Sequence, residues 1–193
     1  MERILFSSAV MCLAVLPVIA ANPAIPEKVK NLLQSVNLGD IRQFDKKDLL
    51  KKVPLDTDKI VFNVYFLEPR QILNLHKHPE SDEMFYIVEG RGQFTLGNEQ
   101  IMVDSGSAVY GPTNTPHGIV NSGSKEMVVI SVQAPKPVQT VYSENSTITC
   151  PVCKQEDIIP VNAKEGDIFI CPRCQAKLKL SKTKDGKWLA LQS

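Results

Sequence analysis

The chain has 193 residues, 43% of them hydrophobic and 22% charged, and a formal net charge of +1. That is the composition of a soluble globular protein, long enough for one ordinary domain and a small one. The near-neutral balance supplies no general field for polyanions, so no nucleic-acid partner is expected.

The first segment, "MERILFSSAVMCLAVLPVIAANPA", has Arg3 near its start, an apolar run from Ile4 to Leu16, then Pro17. Val18 and Ala20 suit the −3 and −1 positions of a cleavage site, so residues 1–20 read as a signal peptide that leaves Ala21 first. The expected destination is then periplasmic or extracellular. The run is short beside the roughly 20 residues of a membrane span. A retained membrane anchor over residues 4–20 stays open, because Lys28, Lys30, Lys46 and Lys47 follow the run and only Arg3 precedes it. Cys12 follows Met11 and not a small residue, which argues against lipidation.

Residues 21–57 form a lead-in. Pro26 followed by Val29, Leu32, Leu33 and Val36 at helical spacing predicts a short helix, with Gly39 as its stop. The run "DKKDLLKK" reads as a solvated face. From residue 58 to 137 the pattern changes to short β segments such as "IVFNVYFL", "MFYIV", "GQFTL" and "MVVISVQA". Turn signals separate most of them ("GN", "DSG", "GPTNTP", "NSGS"), which predicts an antiparallel sandwich or barrel. Proline-containing "APKPV" is a stiff exit, residues 138–149 read as a linker, and residues 150–193 make a second, smaller unit.

The barrel segment carries all three histidines of the chain. His76 and His78 alternate along one strand and so face the same side. Two imidazoles turned inward are costly without partners, whereas one metal satisfies both. Glu83 opens the next apolar run and His117 opens a later one, giving three nitrogens and one oxygen. That mixture suits Mn, Fe, Ni, Cu or Zn without selecting among them.

These residues resemble the two motifs of the cupin superfamily. His76, His78, Glu83 and Gly90 match the spacing of the first motif, with Arg70 where its leading glycine stands. Gly106, Pro112, His117 and Asn121 match the second, with Asn114 in place of the middle glycine. The resemblance implies a mainly β, jelly-roll barrel holding one divalent transition metal on His76, His78, Glu83 and His117. Cupins include dioxygenases, oxidases, isomerases, decarboxylases and non-catalytic binders, so the fold selects none of these.

In the second unit, Cys150, Cys153, Cys171 and Cys174 form two CPxC knuckles separated by seventeen residues. The spacing is that of a structural zinc ribbon, with a rubredoxin-like iron site using the same four thiolates. Two disulfides are the alternative in an oxidising compartment. The segment resembles the small zinc ribbon of amino-group carrier proteins, except that Lys154 and Gln175 stand where glycine usually follows each knuckle.

A cupin followed by such a cysteine module also resembles the bacterial 3-hydroxyanthranilate dioxygenases. Here, however, Asn121 stands where that family has an arginine, and "VVISVQ" offers Ser131 where it has an acid. That specific activity is not expected. With every histidine given to metal, no catalytic acid or base is assigned among Tyr65, Tyr86, Arg70, Asn74 and Gln93. Asn74 shares the strand parity of His76 and His78 and is the candidate pocket-lining residue.

The sequence thus predicts an exported metal-binding cupin acting on a small organic molecule, as a dioxygenase or oxidase sooner than an isomerase. The alternatives are a non-catalytic metal-dependent binder or sensor whose ribbon docks a partner, and a redox protein working through its cysteine pairs. A homodimer belongs to the same set of expectations.

Overall fold

Alternation decides the architecture. In "VFNVYFL" and "MVVISVQA" every second residue is buried between two sheets, while the intervening residues face outward. The computed structural model describes residues 34–144 and 146–193. The expected leader, and most of the expected helix from Pro26 to Gly39, lie outside the described residues. The described part of that stretch is not helical, and residues 38–41 form a turn. Residues 36–193 make one compact unit.

Among the described residues, fifteen strands run through it. The first ten are β1 (Leu50–Asp56), β2 (Val61–Leu67), β3 (Ile72–Lys77), β4 (Asp82–Glu89), β5 (Arg91–Leu96), β6 (Glu99–Asp104), β7 (Ala108–Gly111), β8 (His117–Val120), β9 (Met127–Ala134) and β10 (Val141–Tyr142). They form two five-stranded antiparallel sheets, ordered β1-β2-β9-β4-β7 and β10-β3-β8-β5-β6. The expected mainly β, cupin-type barrel is the fold observed. Its core is a single cluster that includes Leu67, Phe85, Ile87, Phe94, Ile119, Met127 and Val129. Phe85 and Phe94 meet edge to face at 5.0 Å. Burying side chains of this size contributes about 1.5–3 kcal/mol each.

The inward stripe is graded along the barrel. On β2 it runs Leu67, Tyr65, Asn63; on β9 Met127, Val129, Ser131, Gln133; on β4 Ile87, Phe85, Glu83. One end is therefore apolar and the other polar. On the outer face, Leu38, Ile41, Phe44 and Leu50 cover Val64, Phe66 and Val128.

The remaining strands are β11 (Thr147–Thr149), β12 (Glu156–Ile158), β13 (Ile168–Ile170), β14 (Lys177–Lys182) and β15 (Trp188–Gln192). β11 pairs with β12, and β13-β14-β15 form a three-stranded sheet around Ile148, Ile159, Phe169, Leu178 and Leu180. The segment 138–149, expected as a linker, supplies β10 to the barrel and β11 to the second unit.

The cysteine unit is docked on the barrel. Ile158 is fully buried against Leu75, Val120 and Ile72 on the outside of the β3–β8 sheet. Gly118 lies beneath it: a Cβ there would stand 2.8 Å from Ile158 Cδ1. Polar contacts surround this plug. Gln100 Nε2 donates to Ile158 O at 2.7 Å, Arg70 Nη2 to Cys153 O at 3.2 Å, and Arg173 Nη1 to Gly123 O at 3.0 Å.

Candidate metal centre

The polar end of the barrel is where the histidines meet. β3 pairs with β8 so that His76 lies opposite His117, and Glu83 on β4 crosses from the facing sheet. His76, His78, Glu83 and His117 are all buried, and their ligand atoms lie within 4.8 Å of one another. Gly111, paired with Glu83, makes room for this. A Cβ at Gly111 would stand 3.0 Å from His117 Nδ1, tighter than ordinary contact.

Each imidazole is fixed from behind. His76 Nδ1 lies 2.7 Å from Asn74 O, His78 Nδ1 2.7 Å from Gln139 O, and His117 Nδ1 2.9 Å from Thr115 O. A carbonyl only accepts, so each Nδ1 is the protonated nitrogen. Each Nε2 then carries a lone pair, and all three Nε2 atoms turn towards one oxygen, Glu83 Oε2, at 3.7, 2.9 and 2.9 Å. The Gln133 amide nitrogen reaches one of them, His78 Nε2, at 2.8 Å. Three lone pairs facing a buried carboxylate repel one another unless a cation stands among them. The donor set therefore fits one metal ion.

A second layer holds the carboxylate. Ser131 Oγ donates to Glu83 Oε1 at 2.6 Å, and Asn63 Nδ2 donates to Ser131 Oγ at 3.1 Å and to Gln133 Oε1 at 3.0 Å. Burial works to raise the Glu83 carboxyl, but the three imidazole nitrogens gathered on it and the hydrogen bond from Ser131 hold it well below the usual range. Burial disfavours charge on His78, yet its contacts with Glu83 and Gln139 outweigh this and move it upward. For His117 burial prevails, joined by repulsion from the other imidazoles, and it moves downward. Burial and then the Glu83 charge push the Tyr65 phenol up.

Asn74 is corrected. Its side chain is exposed, because β3 carries an irregularity between Leu73 and His76 that breaks simple alternation. Its contribution is its main-chain carbonyl. Of the other polar candidates, Tyr65 borders the site, Tyr86 is exposed, Arg70 contacts the cysteine unit, and Gln93 lines a cleft beside β13. Asn121 is structural: its Nδ2 donates to Leu67 O and Lys125 O while its Oδ1 accepts from Gly123 N. Sequence reasoning missed Asn63 and Gln133, although each is a polar residue at core parity inside an apolar strand. It also missed Gln139.

The four cysteines form a second cluster, also within 4.8 Å. Their sulfurs are unbonded, with Cys150 Sγ 3.8 Å from Cys174 Sγ and Cys153 Sγ 3.6 Å from Cys171 Sγ. Ligands at about 2.3 Å from a tetrahedral ion stand about 3.8 Å apart. This separation is compatible with a zinc-ribbon module. The knuckles are near copies: Lys154 N donates to Cys150 O and Gln175 N to Cys171 O, with φ of 61° at both Lys154 and Gln175. Burial pushes the Cys153 and Cys171 thiols up, while the Ala176 amide holds Cys174 down against burial.

Comparison with known proteins agrees with this fold. Residues 63–133 match the family model described as the cupin domain. An uncharacterized protein of Methanocaldococcus jannaschii is 44% identical over 61 residues, 32% of this chain and 49% of that one. The match thus spans about half the length of that relative. An oxalate-binding protein of Thermotoga maritima is 24% identical over 115 residues, 60% of this chain and 91% of that one. Among solved structures, an uncharacterized conserved protein with a double-stranded β-helix domain from Klebsiella pneumoniae superposes with a TM-score of 0.55. It shares 21% identity over 58% of this chain and 98% of its own.

Proposed function

We propose, from the cupin domain that residues 63–133 form, that this chain binds a small carboxylate or related oxyanion at a metal on His76, His78, Glu83 and His117. The observation that carries the reading is the set of three Nδ1-protonated imidazoles aimed at one carboxylate. A divalent transition ion there would supply Lewis acidity and, for a redox-active metal, electron transfer. The chain's own residues orient and screen it. Asn74, Gln139 and Thr115 fix the rings, and Ser131 fixes Glu83.

An anionic ligand is supported by Lys51, whose ammonium lies 5.6 Å from the Tyr65 ring centroid and whose charge opposes protonation of His78. The oxalate-binding relative supports the same class. Asn63, Ser131 and Gln133, hydrogen-bonded around Glu83 and the histidines, carry no acid or base, and burial keeps the neighbouring Tyr65 phenol protonated. That favours binding, or electron transfer at the metal, over isomerisation by proton shuttling.

The test is metal analysis joined to calorimetry with oxalate. Wild type is expected to hold one barrel equivalent and to bind oxalate, and His76→Ala with His78→Ala to lose both while the cysteine metal stays. Unchanged metal content in that variant would defeat the assignment. Oxygen uptake by the Fe(II)- or Mn(II)-loaded protein across a panel of small acids separates the oxidase and dioxygenase reading from a pure binder. We further propose export, supported by Val18, Ala20 and the preceding apolar run. Native material should then begin at Ala21.

A further inference from the structure

A cleft of about 610 Å³ lies where the β4–β5 turn, the β8–β9 loop and the second cysteine knuckle meet. It shares no residue with the histidine cluster. Arg91, Lys125 and Arg173 line it, together with Ser122, Met102 and Gln175, and none of its lining residues is acidic. Neither Arg91, Lys125 nor Arg173 forms an ion pair among the described residues. Asp104, opposite Arg91 in the β5–β6 register, accepts instead from Ser107.

Two further features favour a ligand. Ser122 Oγ is buried without a hydrogen-bond partner, and such a group is destabilising unless something pairs with it. Arg173 is held by its bond from Nη1 to Gly123 O at 3.0 Å, which leaves the rest of its fork free. A guanidinium of this kind matches the paired oxygens of a phosphate or carboxylate.

We infer that this cleft binds a small molecule bearing a phosphate or two carboxylates. Its volume falls within the roughly 300–1,000 Å³ usual for small-ligand sites, and its concavity fits a small molecule better than a protein surface. Arg91 and Lys125 belong to the barrel, whereas Arg173 lies between Cys171 and Cys174. The site is therefore assembled only when the cysteine unit is folded and docked.

The test uses the full chain with both metal sites loaded, titrated calorimetrically in about 0.15 M salt, where weak surface attraction is largely screened. Inorganic phosphate, glucose 6-phosphate and succinate are the probes, and glucose is the neutral control. One equivalent of a phosphate probe or of succinate should bind beyond any taken by the histidine cluster, and which of them binds identifies the source of the oxyanion. Arg91→Ala with Lys125→Ala should weaken that binding by about tenfold or more, the usual worth of a charge-assisted hydrogen bond. The metal content of that variant should equal wild type, and His76→Ala with His78→Ala should leave the affinity unchanged. The inference is overturned if none of the three anions binds. It is equally overturned if the histidine variant binds none of them, or if its binding survives when Arg91→Ala and Lys125→Ala are added.

Discussion

Replacing Ile158 by alanine should detach the cysteine unit from the barrel without dissolving the barrel. The side chain is fully buried against Leu75, Val120 and Ile72, so it holds part of a different unit's outer surface out of water. Three carbons are lost at about 0.8 kcal/mol each, or roughly 2.4 kcal/mol of transfer free energy. A residual cavity adds to this, and Ile→Ala changes at buried sites cost about 2–5 kcal/mol in all. We expect about 3 kcal/mol. In urea unfolding followed by limited proteolysis, the variant should be cut earlier between residues 143 and 150, leaving a resistant barrel fragment. Gly118→Ala approaches the same contact from below, because its new Cβ meets both Ile158 Cδ1 and Leu73 O at 2.8 Å. Part of its cost should vanish in the Ile158→Ala background, where one of those clashes is gone. A loss below about 1 kcal/mol for Ile158→Ala, or strict additivity of the pair, would refute the docking argument.

Lys154→Gly and Gln175→Gly should each stabilise the cysteine unit by about 0.5–1 kcal/mol, since both residues hold positive φ that glycine adopts freely; a lower chelator-free unfolding midpoint in either would contradict this. Gly111→Ala should displace His117 and lower metal content at the barrel site, read by elemental analysis, with the cysteine metal unaffected. Asp157 is buried with both carboxylate oxygens unpartnered, and burial raises its carboxyl to about 6. Because the folded state holds this proton more tightly than the unfolded chain, wild type loses stability as pH rises from about 4 to about 6. Asp157→Asn removes that loss, so it should be more stable than wild type by on the order of 2 kcal/mol at pH 7, and the gap should close by about pH 4. A gap independent of pH would show that the carboxylate is not the cause.

The sequence was most informative where a residue type and a backbone requirement coincide. The metal-site side chains were legible because only a few residue types ligate, and their spacing matched a known pattern. So were four departures from that pattern. Arg70, Asn114, Lys154 and Gln175, each standing where a related protein has glycine, have φ of 80°, 60°, 61° and 61°. They are the non-glycine residues with positive φ among the described residues. The backbone demand is the same whether or not glycine meets it. What stayed hidden was anything carried by main-chain oxygens or by a local break in alternation. Gln139 acts on His78 through a carbonyl that every residue possesses. The irregularity in β3 turned Asn74 outward where simple parity placed it inward. The role of Ile158 was hidden as well, since nothing in a single sequence says which outer surface a short strand will cover.

The hold of Gln139 on His78 changes where the smallest self-sufficient piece of this protein must end. The family-matched segment stops at residue 133, six positions short of the carbonyl that sets the tautomer of one metal-facing imidazole. Beyond that carbonyl, β10 lays Tyr142 opposite His76, with the rings 5.7 Å apart. A fragment cut at the boundary of the match would keep all four candidate ligands, yet His78 would be free to protonate either nitrogen and His76 would lose its aromatic cover. The exit strand is thus part of the instrument that presents these ligands, and any transplant of the barrel into another chain has to carry it through Tyr142.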